Sequence, residues 1–130
     1  ITKWTKHCDK ALFQLMSYVN SSLDHRMVGW IGDPATALEP HVYADADFAG
    51  CVLTQRSTSG VHHAMEGPNS CFPLGGQSKR QMAASSSTPE AEMAAGHHAV
   101  KSTLIPALDL WDVLLPVGFL IIFNEDNSAM

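Results

Sequence analysis

The sequence predicts an α/β fold: a mixed sheet made of an antiparallel three-strand meander, a crossover helix and a parallel central strand, with a helix ahead of it all. Three observations carry this. Between residues 40 and 84, short strand-like runs are separated by turn residues; Ser87-Thr88-Pro89-Glu90 reads as a helix start; and an apolar run at 119–123 follows that helix. A strand, a helical crossover and a buried strand in that order favour parallel pairing with a right-handed connection.

Residues 4–23 read as an amphipathic helix, because Ala11, Leu12, Leu15, Met16, Val19 and Leu23 recur at helical spacing. Asn20-Ser21-Ser22 turns the chain, residues 25–31 read as a short strand, and Gly32-Asp33-Pro34 stops it. Residues 34–40 link to the first meander strand at 41–48. A polar loop runs through Arg56, a second strand spans 59–66, Gly67-Pro68-Asn69 turns it, and a third begins at Cys71, with 78–84 extending it past Gly75-Gly76.

The helix start has a serine or threonine cap, a proline in the first turn where its missing N–H is harmless, and Glu90 at the capping-box position. The helix is expected to run to about Thr103. Pro106 then forces a kink or break, and a second amphipathic piece, 107–115, carries Leu108, Trp111, Leu114 and Leu115 before Pro116-Val117-Gly118 ends it. Residues 119–123 are apolar on both faces, as a central strand covered on each side requires.

Parallel pairing sets 119–124 beside the strand that holds Asp45. In such sheets ligands gather outside the carboxyl ends of the parallel strands, and Asp45 and Asp126 lie near those ends. On the helix, Glu90 and Glu92 stand about 200° apart, so they cannot serve one site. Glu90 goes to the cap, while Glu92 shares a stripe with Ala95, Gly96, Ala99 and Thr103, whose small side chains let that face approach the sheet. Crowded carboxylates raise one another's pKa and resist ionising, so convergence of Asp45, Glu92 and Asp126 predicts a divalent cation. Taken singly, each reads as a solvated turn or cap residue, Asp126 most of all because Asp-Asn after a strand is ordinary turn chemistry. Asp47, on the same strand face as Asp45, reads as a solvated loop-side acid, and Glu125 is expected to point away from Asp126 into solvent.

A length of 130 residues bounds the chain to one modest domain or a piece of a larger protein, and 45% hydrophobic residues suffice for a core. The net charge of -5 argues against a freestanding electrostatic binder of nucleic acid. An enzyme with its acids gathered round a metal is compatible with it. Cys8, Cys51 and Cys71 indicate neither a disulfide framework nor a zinc site, which fits a reducing interior. The longest apolar run, 117–123, is too short to span a bilayer. His62-His63 and His97-His98 are adjacent pairs whose side chains point apart, too few ligands for zinc; one of each pair is expected to pack and the other to face water. Arg56, Ser57, Ser59, Lys79 and Arg80 form a positive, hydroxyl-rich patch that reads either as contacts to backbone phosphates or as ordinary polar hairpin loops. Asn127 either contacts nucleic acid or caps the turn after the last strand.

Five strings, taken in order, resemble one family: residues 43–50 (YADADFAG), 56–60 (RSTSG), 78–81 (SKRQ), 85–93 (SSSTPEAEM) and 125–129 (EDNSA). Together they are similar to the ribonuclease H domain of copia-type retrotransposon polyproteins. The resemblance covers about residues 40–130, and residues 1–39 look like the tail of the preceding reverse-transcriptase and connection region. It implies a ribonuclease H-like mixed sheet with flanking helices. It also places the first catalytic aspartate on Asp45, the helix glutamate on Glu92 and the strand-end aspartate on Asp126.

The implied activity is metal-dependent endonucleolytic hydrolysis of the RNA strand of an RNA–DNA hybrid during reverse transcription. A two-ion Mg²⁺ site would serve it, with Mn²⁺ as a substitute; Asp45 would bridge the ions, and Glu92 and Asp126 would hold one or both. The implied partners are the hybrid, contacted by Arg56, Ser57, Ser59, Lys79, Arg80 and Asn127, and the upstream reverse-transcriptase domain of the same polyprotein. No membrane and no small-molecule cofactor are expected, and the implied location is intracellular, in a cytoplasmic particle or the nucleus. The family pattern also has a fourth acid, a further strand and closing helices, all beyond Met130, so the domain is expected to be C-terminally truncated. The alternative is therefore a truncated or decayed, catalytically inactive module with a structural or interaction role. A related integrase core would carry its glutamate after the second aspartate, and the order here is Asp, Glu, Asp.

Overall fold

Alternation builds the first strand. In β1 (Glu39–Asp47) Pro40, Val42, Ala44 and Ala46 are buried, while the odd-numbered residues face outward. This is the period-2 pattern of a sheet with one covered face. The computed structural model describes residues 3–115 and 118–126. β1 pairs antiparallel with β2 (Thr58–Gly67), which pairs antiparallel with β3 (Ser70–Arg80) through the tight turn at Pro68-Asn69. The meander is thus present, and β3 runs through Gly75-Gly76 to Arg80 with a register shift at Leu74, between the Ala64–Pro73 and His63–Gly75 pairs; the expected extension over 78–84 stops at Arg80.

Helix α2 (Thr88–Ala99) begins at the expected signal: the Ser87 hydroxyl accepts a bond from the Glu90 N–H at 3.3 Å, and Pro89 lies in the first turn. Glu90 reaches one residue further back than a standard capping box, accepting from the Ser86 N–H at 2.7 Å and its hydroxyl at 2.6 Å. The predicted small-residue stripe is the buried one: Glu92, Ala95, Gly96, Ala99 and Thr103 are all covered. Val42, Ala44 and Val61 pack on Ala99, and Ala46 packs on Ala91 and Ala95, so helix and sheet meet through side chains of minimal depth.

Pro106 does not stop the helix. A π-helical turn (Val100–Leu104) follows α2 directly and leads into α3 (Ile105–Leu114), with Pro106 in the first turn of α3. A proline has no N–H for the i→i−4 ladder, and the irregularity in that ladder falls just ahead of it. Trp111 and Leu115 close a second core against Met65, flanked by Leu38, Phe119 and Ile121.

Two strand expectations are corrected. Residues 25–31 form no strand; Trp30 alone makes a bridge, exchanging backbone bonds of 3.0 Å with Cys71. The chain is then held at the β2–β3 turn, where Asp33 accepts from the Asn69 N–H at 2.7 Å and the Ser70 hydroxyl at 2.6 Å. The apolar run after α3 contributes only a three-residue strand, β4 (Ile122–Asn124), parallel to β1 at the edge of the order β3-β2-β1-β4. It is parallel, as expected, but not central: among the described residues nothing pairs on β4's other side, and its outward face is uncovered, with Phe123 36% exposed and Leu120 just before it 65% exposed.

Helix α1 (Lys6–Ser21), capped by Thr5, forms where periodicity predicts, yet none of its residues is buried. Among the described residues no helix is long and apolar enough to cross a membrane. The three cysteines are unbridged.

Candidate metal centre

Asp45, Glu92 and Asp126 converge: each offers a carboxylate oxygen, and these oxygens all lie within 4.8 Å of one another. Parallel register explains the strand pair. Tyr43 stands opposite Asn124 in the β1–β4 ladder, so two residues further along, past the last rung, Asp45 and Asp126 are level. Gly60 faces Asp45 from β2, so no side chain stands across from it on that side. Asp45 and Asp126 are exposed and line an open cleft of about 460 Å³ with Tyr43, Phe123, Asn124 and Glu125.

Glu92 comes from the helix and is 4% exposed. Its height over the sheet is set by Ala91 and Ala95, which rest on Ala46, the neighbour of Asp45. Gln81, just past β3, fixes the start of the helix: its amide donates to the Ala91 carbonyl at 2.9 Å and the Ser59 hydroxyl at 3.0 Å, while its oxygen accepts from Ser85 at 3.1 Å. Glu92 Oε2 is buried and lacks a hydrogen-bond partner among the described residues. Leaving a carboxylate oxygen so placed is costly. Burial pushes the Glu92 carboxyl above its ordinary range, and the charges of Glu125, Asp45 and Asp126 add to that; the Ala46 backbone N–H works in the opposite direction.

The fit to a hard divalent cation rests on that unsatisfied oxygen and on an all-oxygen donor set. Magnesium binds such carboxylates while retaining water. Glu125 is a correction. It is half-buried rather than exposed, lines the same cleft as Asp45 and Asp126, and follows burial as the largest influence on Glu92. Sequence alternation put it on the wrong side because alternation holds only while a strand continues, and β4 ends at Asn124. Asp47, the last residue of β1, is exposed and lies outside the cluster.

The expected phosphate patch divides. Ser57 is fully buried and accepts from the Ala49 N–H at 3.1 Å; Ser59 is 3% exposed and holds Gln81. Both hydroxyls are engaged inside the protein, so solvent meets Lys79 and Arg80, with Arg56 half-buried. Asn127 lies outside the described residues. The histidine pairs separate as expected: His62 and His97 are exposed, His63 and His98 half-buried, and burial lowers the pKa of the latter two. No family model, no curated protein and no solved structure matches the chain.

Proposed function

We propose that the chain carries a ribonuclease H-like domain of copia-type retrotransposon lineage, which hydrolyses the RNA strand of RNA–DNA hybrids. The observation that carries the reading is the meeting of the Asp45, Glu92 and Asp126 oxygens within 4.8 Å, which are the three residues on which the family's acids fall. The α/β architecture, with a mixed four-stranded sheet and one parallel pair, is compatible with it.

Asp45 and Asp126 present exposed carboxylates at the open end of the sheet, where a phosphodiester can approach, and Glu92 holds its carboxylate rigidly beneath them. Asp45, Glu92 and Asp126 would hold magnesium, which when bound would supply an activated water and stabilise the leaving oxygen. Arg56, Lys79 and Arg80 would contact the backbone of the hybrid, which carries charge and no sequence information.

The test is a labelled RNA–DNA hybrid incubated with Mg²⁺ or Mn²⁺, beside Asp45→Asn and a single-stranded RNA control. Cuts in the RNA of the hybrid alone are expected. Asp45→Asn should leave less than about one hundredth of the rate, since changes in groups that merely support metal ligands already cost up to about 100-fold. A wild-type protein that binds no magnesium by calorimetry and cuts nothing would refute the proposal.

A further inference from the structure

Helix α2 lines a second cleft on another flank. Positions 94, 97, 98 and 101 lie about 140–240° round the helix from Glu92, and they form one wall of a cleft of about 320 Å³ whose other wall is the end of β3. Lys79 and Arg80 stand on the strand side, His97 and His98 on the helix side, and Lys101 on the π turn. No carboxylate lines the cleft, in a chain with thirteen Asp and Glu against eight Lys and Arg. Among the described residues none of Lys79, Arg80 and Lys101 pairs with a carboxylate, although Arg80 also bonds the Cys51 thiol; the salt bridge present joins His41 to Glu66.

His98 is a half-buried member of the cleft lining. His98 Nε2 is buried and has no hydrogen-bond partner among the described residues. Burial holds the His98 imidazole below its ordinary pKa, and Lys79 and His97 press it further. Cations on both walls around a buried ring nitrogen with no partner make a cradle for a compact anion, because charge-assisted bonds from Lys, Arg and imidazole are the strong ones.

We propose that this cleft is an anion site that seats a phosphate group between Lys79 and Arg80 on one side and His97, His98 and Lys101 on the other. It extends the solvent-facing cations of the patch described above but does not depend on the acid cluster. The occupant is either a phosphodiester of a nucleic-acid strand or a free phosphate monoester. The charged and titratable groups that line the cleft with His98 are Lys79 and Arg80 from β3, His97 from its own helix and Lys101 from the π turn, and of these Lys79 and His97 act on its imidazole. An anion among them favours the imidazolium, so binding takes up a proton and tightens as pH falls.

Whole protein in EDTA, at constant ionic strength, is titrated with inorganic phosphate and with sulfate, whose charge does not change between about pH 5 and 8, while backbone and histidine-ring NMR signals are followed. Saturable shifts confined to Lys79, Arg80, His97, His98 and Lys101, tighter with sulfate at lower pH, are expected. Lys79→Gln with Lys101→Gln should weaken binding about tenfold or more, the effect of losing charged hydrogen-bond donors, without lowering Tm. A short oligothymidylate arm identifies the source: binding through the same signals more tightly than phosphate assigns a strand diester, and binding of phosphate alone assigns a monoester. Shifts scattered over other lysines, or unchanged affinity in the folded double variant, overturn the proposal. EDTA keeps the metal centre out of the experiment, so failure here leaves the nuclease reading standing, and the reverse.

Discussion

Glu92→Gln should make the metal-free protein more stable while abolishing its response to magnesium. The side chain keeps its shape and loses its charge, at a position 4% exposed with an unpartnered Oε2. Two unit charges at 4.8 Å repel by about 0.9 kcal/mol in water and about 3.5 kcal/mol at an effective dielectric near 20. Asp45 and Asp126 are exposed, so the lower figure applies, and removing these two repulsions relieves about 1–2 kcal/mol at pH 8, to which loss of the Glu125 repulsion adds. In a domain of this size that corresponds to a rise in Tm of about 3–10 °C. Wild-type protein with magnesium at 100 times its Kd should gain about 2.7 kcal/mol, and the variant little. The assay is thermal unfolding of both proteins in EDTA and across a magnesium series. If Glu92→Gln lowers Tm in EDTA, or magnesium stabilises both equally, the three acids do not form a strained cation site.

The same pair of proteins gives a pH prediction. A carboxyl whose folded pKa is raised binds protons more readily in the native state than unfolded, so stability declines as pH rises from its ordinary value of 4.5 through the folded value. The Tm gap between Glu92→Gln and wild type in EDTA should therefore close as pH falls from 8 toward 4.5; a gap that widens contradicts the assignment. Ser70→Ala should cost about 1–3 kcal/mol in denaturant unfolding, since the buried Ser70 hydroxyl joins the Gly32 and Asp33 N–H groups to the Asp33 carboxylate; an unchanged midpoint would show that residues 30–33 are not anchored there. Cys51, whose thiol is lowered to about 7 by bonds from Thr54 with help from Arg80, should alkylate with half-maximal rate near that pH, and a midpoint above 8 would rule those bonds out.

Much of the fold was legible because its signals are local. The Ser87 cap, the Glu92–Ala95–Ala99 stripe and the β1 alternation each depend on residues within one or two turns of each other, and all three appear where periodicity put them. What escaped depends on distant partners. Residues 25–31 have strand composition but meet β3 at one rung, and the apolar run at 119–123 resembles a central strand in isolation while its position at the edge is a property of the whole sheet. Ser57 and Ser59 read as surface hydroxyls because nothing nearby reveals that Ala49 and Gln81 engage them. Helix α1 shows the converse: its apolar stripe is periodic, yet the stripe finds no cover among the described residues.

The acid cluster sits where the β1–β4 ladder ends, and that position has a mechanical consequence. β4 is attached by three residues of parallel pairing and by a contact of 3.2 Å between Asn124 Nδ2 and His41 Nδ1. Short edge strands open readily. Asp126 lies two residues past its end, so a cation shared with Asp45 and Glu92 would tie this short edge strand to both β1 and the covered face of α2. Repulsion among the same carboxylates acts in the opposite sense when no cation is bound, loosening β4 where it is least supported. A cation bound there would couple its own occupancy to the order of β4 through electrostatics at one point, so under the proposed function a stability response to magnesium would read the geometry of the site independently of any cleavage assay.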